Sequence, residues 1–335
     1  MKSIMQAALA FGVLTWSAGA LAQISPEFRN DKIILLEGTP GDGGYWNTTS
    51  KVFKDEAGNP YRRPVPQFRQ RIRTRMMERR VLEEYAEFLS PLRLPRPLRL
   101  LASDCDGKAW GDSPHYNPAM QAIDMCYSFS FDAEAKFKNL IRNRRDDKWW
   151  TPGSLEQLMA GLYVGVLLHE TGHAAFDLME VPVLGREEDA ADQIATFVAL
   201  QFGKENARTI IKGFSNFWGY LAFVSKADPG PVLGPDDPNY RDCSKDSFCS
   251  YADEHGTASQ RYYNVLCMAL NDQHRDSFSD ILEARLLPEG RLQRCNKEYK
   301  QVQLAFRKTL LPFIDPAQAE KVMKRTWFTA KESQE

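Results

Sequence analysis

The chain has 335 residues, with 43 basic and 44 acidic side chains, 43% apolar residues and 26% charged residues. That balance excludes a disordered chain, and a formal net charge of −1 offers no global attraction to nucleic acid, so none is expected as a partner. Histidine is scarce, with only five in the chain, so where the five fall carries information.

The N-terminus reads as an export signal. Lys2 is the only charge in the first 22 residues, an apolar stretch runs from Ile4 to Trp16, and Ala20-Leu21-Ala22 precedes Gln23. This predicts cleavage after residue 22. Residues 23–335 would then form a single domain outside the cytoplasm, periplasmic or secreted, with no membrane-spanning segment left. In an oxidising compartment an even set of six cysteines suggests three bridges. Nearest-neighbour closure predicts Cys105–Cys126, Cys243–Cys249 and Cys267–Cys295. No CxxC pair is present, which argues against a cysteine zinc site.

Residues 23–60 are rich in Gly, Pro, Asn and Asp and read as loop with one short strand at 33–36. Phe68, Ile72, Met76, Leu82, Tyr85 and Leu89 recur at helical spacing, which predicts a helix over 66–90. Its arginines (Arg69, Arg71, Arg73, Arg75, Arg79, Arg80) read as a solvated face, with binding of an anionic polymer as the alternative. Residues 98–103 and 122–131 are expected strands, followed by a charged helix over 132–145. Ser154 and Gln157 have capping-box spacing. From Leu158 to Leu168 the chain is apolar on every side, too short to cross a bilayer, so it reads as a buried core helix running on to about residue 179. Pro182 and Gly185 break it, and further helices are expected at 186–202 and 204–225. A proline-containing loop covers 226–252, a helix follows at 258–271, and the last helix starts at Asp315-Pro316.

Residues 169–173 read His-Glu-Thr-Gly-His. On a helix, positions i and i+4 share a face, so His169 and His173 can reach one zinc ion with bonds of about 2.0–2.1 Å. Zinc lowers the pKa of a bound water from ~15.7 to about 7. Glu170 can take that proton as general base and pass it to a leaving amine. Gly172 costs about 1 kcal/mol of helix propensity, which suggests a functional or close-packing reason for it. A catalytic zinc keeps three protein ligands and one open position. No third histidine follows closely, but the next helix begins Arg186-Glu187-Glu188-Asp189-Ala190-Ala191-Asp192. Glu188 and Asp192 share a face, so one can bind zinc while the other orients a ligand histidine. Acids also suit the positive end of a helix. Glu188 is the first choice as ligand, with Asp189 and Asp192 left open.

HETGH followed by Glu188-xxx-Asp192 resembles the gluzincins, zinc metallopeptidases whose third ligand is a glutamate. The resemblance implies Glu188 as that ligand and Asp192 as the contact to a ligand histidine. The longer string HETGHAAFDLMEVPVLGREEDAADQ is similar to a group of exported bacterial metallopeptidases, from about the Cys105 region to the Cys267 region. Asp253-Glu254-His255 with Arg261 resembles a DxH…R element of some gluzincins. It implies that His255, oriented by Asp253, steadies the tetrahedral intermediate and that Arg261 holds a substrate carbonyl. Tyr262 and Tyr263 are alternative donors, and His115 and His274 receive no role.

The expected fold is α+β and zincin-like: a small, mostly antiparallel sheet against the buried active-site helix, with a helical remainder. An extended substrate would pair with an exposed strand edge, either 98–103 or 122–131. The expected function is hydrolysis of peptide bonds in a peptide or protein substrate, with one zinc ion as cofactor. The alternatives are a non-catalytic zinc-containing binding or regulatory module and a secreted adaptor acting through its arginine helix.

Overall fold

A computed structural model of the chain describes residues 32–35, 52–54, 60–62, 67–103, 105, 113–144, 147–224 and 254–325. The expected signal segment, the Cys243–Cys249 bridge, the 226–252 loop and Asp253 lie outside these residues. The elements in chain order are β1 (Ile33–Leu35), β2 (Val52–Lys54), β3 (Pro60–Arg62), α1 (Gln67–Glu78), α2 (Val81–Leu89), β4 (Leu98–Ser103), β5 (His115–Asn117), β6 (Ala122–Cys126), α3 (Tyr127–Asn143), α4 (Leu155–Leu178), α5 (Glu187–Ala199), α6 (Lys204–Gly219), α7 (Ala258–Ala269), α8 (Ser279–Glu283), α9 (Glu289–Thr309) and α10 (Pro316–Lys324).

The architecture is α+β, mostly helical with a small sheet. The sheet order is β1-β4-β6-β5. β1 and β6 both run parallel to β4, and only β5 runs antiparallel, against β6. The expectation of a mostly antiparallel sheet is therefore corrected to a mixed one. After β4 the chain places β5 on the far edge, then turns through Gln121, at φ 51°, and returns as β6 between the two. That return makes β4 and β6 parallel and puts both inside the sheet, so neither is the free edge. Beside α4 the edge is β5. The strand expected over 122–131 stops at Cys126, and α3 begins at Tyr127, whose buried hydroxyl donates to the Ala102 carbonyl. The Cys105–Cys126 disulfide joins the segment after β4 to the end of β6, and Cys267–Cys295 joins α7 to α9.

The centre of the helical layer is α4. Ser154 and Gln157 cap it reciprocally, at 3.2 and 3.1 Å, which satisfies two backbone donors that the first turn leaves open. Its middle is buried because it is sandwiched between the sheet side and α6. Glycines set the α4–α6 distance. A Cβ on Gly161 would overlap the Thr209 carbonyl, and one on Gly213 would overlap the backbone at Leu158 and Leu162. The helix expected over 66–90 is broken in two at Arg80, which adopts φ 52°. Three of its arginines pair with acids. Arg75 meets the buried Glu134 at 3.0 Å, Arg79 pairs with Glu156, and Arg80 lies 3.9 Å from Glu87.

Candidate metal centre

The capped, buried α4 carries His169 and His173 one turn apart on the side facing α5. The segment at 180–186 turns the chain so that the first turn of α5 meets them. Gly172 sets how closely: a Cβ there would lie 3.0 Å from the Ala191 Cα. Its missing side chain thus brings the backbone of α5 against the histidines.

Three potential ligand side chains converge. His169 Nε2 lies 3.2 Å from His173 Nε2 and 3.0 Å from Glu188 Oε2, and His173 Nε2 lies 3.3 Å from Glu188 Oε1. Ligands about 2.0–2.1 Å from one tetrahedral ion stand roughly 3.3 Å apart, so the spacing suits a zinc-sized cation. Each imidazole is oriented from its other nitrogen. His169 Nδ1 donates to Asp192 Oδ1 at 2.9 Å, and His173 Nδ1 donates to Glu187 Oε1 at 2.7 Å. Carboxylates only accept, so both Nε2 lone pairs are left to face one point.

The electrostatics demand positive charge at that point. Burial disfavours the imidazolium of His169, but the charge and hydrogen bond of Asp192 outweigh it and push its pKa up to about 9. His173 is raised as well, against burial, by Glu188. Burial disfavours the Glu188 carboxylate, yet its two histidine neighbours hold its pKa well below the usual range. Protons alone satisfy the cluster poorly. At most one proton fits between the two Nε2 atoms, and the buried Glu188 Oε2, 3.0 Å from His169 Nε2 and 3.2 Å from His255 Nε2, makes no well-aligned hydrogen bond to either. A divalent cation would satisfy all three side chains at once.

Glu170, adjacent to His169, is buried and is not part of this triad. Its Oε2 accepts the backbone N–H of Tyr116 on β5 at 2.8 Å. Burial raises its pKa, opposed by the positive charge of the neighbouring histidines. Tyr116 in turn donates its hydroxyl to Asp177 Oδ2 at 2.6 Å, so one residue pins the edge strand to α4 at two points.

A family model described as "Putative metallopeptidase" matches residues 61–310. The chain belongs to this family. No curated protein and no solved structure matches it. In this metallopeptidase-family chain, all the residues that converge on the candidate site and the strand edge beside it fall within the matched span.

The remaining expected residues divide. His255 Nε2 lies 3.2 Å from Glu188 Oε2, at the rim of the site, with its side chain about half exposed. Glu254, His255 and Glu188 form a second set of possible ligands that shares Glu188 with the first. Arg261 does not reach toward a substrate position. It is 4% exposed, and its Nε and Nη2 each donate to Asp192, both at 2.7 Å. The expected grip on a substrate carbonyl is corrected accordingly, because both of those donors are engaged behind His169. Tyr262 is also buried and gives its hydroxyl to the Trp149 carbonyl, and Tyr263 packs against it. Asp189 lines a separate cleft of about 340 Å³ on the opposite face of α5, together with Arg186, Leu184 and Phe306. Tyr116, Asp177, Glu187 in its contact with His173, and Trp218 are site neighbours that the sequence reading did not single out. The pairings span 14 to 61 residues, which no local spacing rule detects.

Gly172→Ala separates metal affinity from stability. Alanine gains about 1 kcal/mol of helix propensity, which offsets part of the steric cost. The Ala191 backbone must nevertheless shift by several tenths of an ångström. The expected result is a folded protein with little change in Tm and about tenfold weaker zinc binding, measured by competition with a chromophoric chelator.

Proposed function

We propose that this protein is an exported zinc-dependent peptidase in which His169, His173 and Glu188 hold the metal and Glu170 is the general base. The observation that carries the reading is the convergence of two imidazole Nε2 atoms and the buried Glu188 carboxylate on one point, beside a carboxylate that is left out of the cluster. Two disulfides and the signal-like N-terminus support export. No helix among the described residues is long and apolar enough to cross a membrane.

A zinc ion bound there supplies a polarised carbonyl and a water acidic enough to lose its proton near neutral pH. The protein does the rest. Glu170 accepts the proton, held in position by the Tyr116 N–H, and returns it to the leaving amine. An extended peptide docks beside β5, the edge strand next to α4, using backbone groups other than the Tyr116 N–H that Glu170 holds, which aligns its scissile bond along the site. His255 at the rim donates to the developing oxyanion. Asp192 and Glu187 hold the two histidines in the tautomer that binds metal.

Stripping the metal with a chelator is expected to abolish peptide hydrolysis, and one equivalent of zinc is expected to restore it. Hydrolysis that persists in protein holding far less than one metal per chain would overturn the reading.

A further inference from the structure

We propose that Arg261 is a positioning residue for the metal centre, acting through Asp192 on His169 and touching no substrate. This rests on the metal-centre reading above.

The geometry starts at the cap of α7. Thr257 and Gln260 cap it reciprocally, at 3.3 and 3.0 Å, which fixes the first turn and sends Arg261 inward between α5 and α6. There the guanidinium lies 3.7 Å from the ring centroid of Trp218 on α6, and its edge forks onto Asp192 through Nε–Oδ2 and Nη2–Oδ1. Asp192 is 2% exposed, so no solvent helps to hold it. Its Oδ1 accepts from both Arg261 Nη2 and His169 Nδ1.

Three consequences follow from the chemistry of these groups. A guanidinium has donors only, so Nη2, 3.4 Å from His169 Nδ1, cannot accept a proton from that imidazole. The Nδ1 proton must therefore go to Asp192, and the Nε2 lone pair is left for the metal. A bidentate fork also fixes the plane of the carboxylate, which a single point charge does not. Finally, the Trp218 ring covers one face of the guanidinium and fixes the plane in which the fork lies. The line runs from Trp218 through Arg261 and Asp192 to His169. The fork commits Nε and Nη2 to Asp192, and the burial of the whole side chain (4% exposed) keeps the guanidinium from the open side of the site.

The test uses the full chain and cobalt(II) or zinc(II) alone, with no substrate. The readouts are metal affinity by competition titration, the visible spectrum of the cobalt form, and thermal unfolding of the metal-free protein. Arg261→Lys keeps the charge and loses the fork. It is expected to weaken metal binding by about 10–100-fold and to alter the cobalt bands in a protein that still unfolds cooperatively. Arg208→Lys, which breaks a similar fork onto Asp280 away from the site, is expected to leave affinity unchanged. If Arg261→Lys does not fold, the double variant Asp192→Asn with Arg261→Gln removes the buried charge imbalance and is expected to show the same loss of affinity. Wild-type affinity and an unchanged spectrum in whichever variant folds would overturn the proposal, since a residue that served only a substrate would leave both untouched. A wild-type protein that binds neither metal would overturn the metal-centre reading and this proposal with it.

Discussion

Glu170→Gln is expected to keep one metal ion per chain and to lower peptide turnover by about 10²–10⁴-fold. Glutamine is nearly isosteric, and its side-chain oxygen can still accept the Tyr116 N–H that Glu170 Oε2 accepts at 2.8 Å. The strand β5 therefore stays pinned to α4, through that bond and through Tyr116 and Asp177. The ligating atoms of His169, His173 and Glu188 are not altered. What disappears is the buried carboxylate that lies beside the three candidate ligands without being one of them. Metal analysis beside steady-state kinetics checks this. Turnover within a few-fold of wild type would assign the base to another group.

Gly161→Ala is expected to destabilise the fold by about 3 kcal/mol, read as a lower midpoint in urea at an unchanged slope. The added methyl group would overlap the Thr209 carbonyl, a backbone atom on α6 that no rotamer change can move. The gain of about 1 kcal/mol in helix propensity is too small to offset a separation of α4 from α6. The two helices are also pinned at Gly213, where a Cβ would overlap the backbone of α4, so the strain cannot be relieved by sliding. An unchanged midpoint would mean that the two helices are not packed backbone to backbone.

Much of the scaffold was legible because its signals are local. The Ser154–Gln157 cap, the all-round apolar run of α4, and the Asp315 cap of α10 depend on neighbours in sequence. The same holds for the candidate ligand pair on α4, where four-residue spacing alone puts two histidines on one face. Glu188 and Asp192 were legible as a pair on one face of α5, but their division of labour depends on where α7 places Arg261. That contact spans 69 residues, and the sequence reading sent the arginine toward substrate instead. The sheet was misread for a similar reason. β5 is three residues long, His-Tyr-Asn, with no alternation to detect, yet it decides both the parallel pairing of β4 with β6 and which strand is the edge. Tyr127 to Phe131 look strand-like by composition but open a helix, because the chain has left the sheet at the Cys126 bridge. α9 was missed although Leu292, Cys295, Tyr299, Val302 and Phe306 recur at alternating three- and four-residue spacing. Its many charged residues diluted that stripe. Arg80 separates α1 from α2 without a glycine or proline to mark the break.

The central claim is that His169, His173 and Glu188 hold one divalent ion with a position left open. A crystal structure of the zinc-loaded protein, with anomalous data at the zinc edge, tests it most directly. The account predicts one peak about 2.0–2.1 Å from both Nε2 atoms and from a Glu188 oxygen, with solvent as the remaining ligand. A peak elsewhere, or His255 filling the fourth position to close the site, would contradict it.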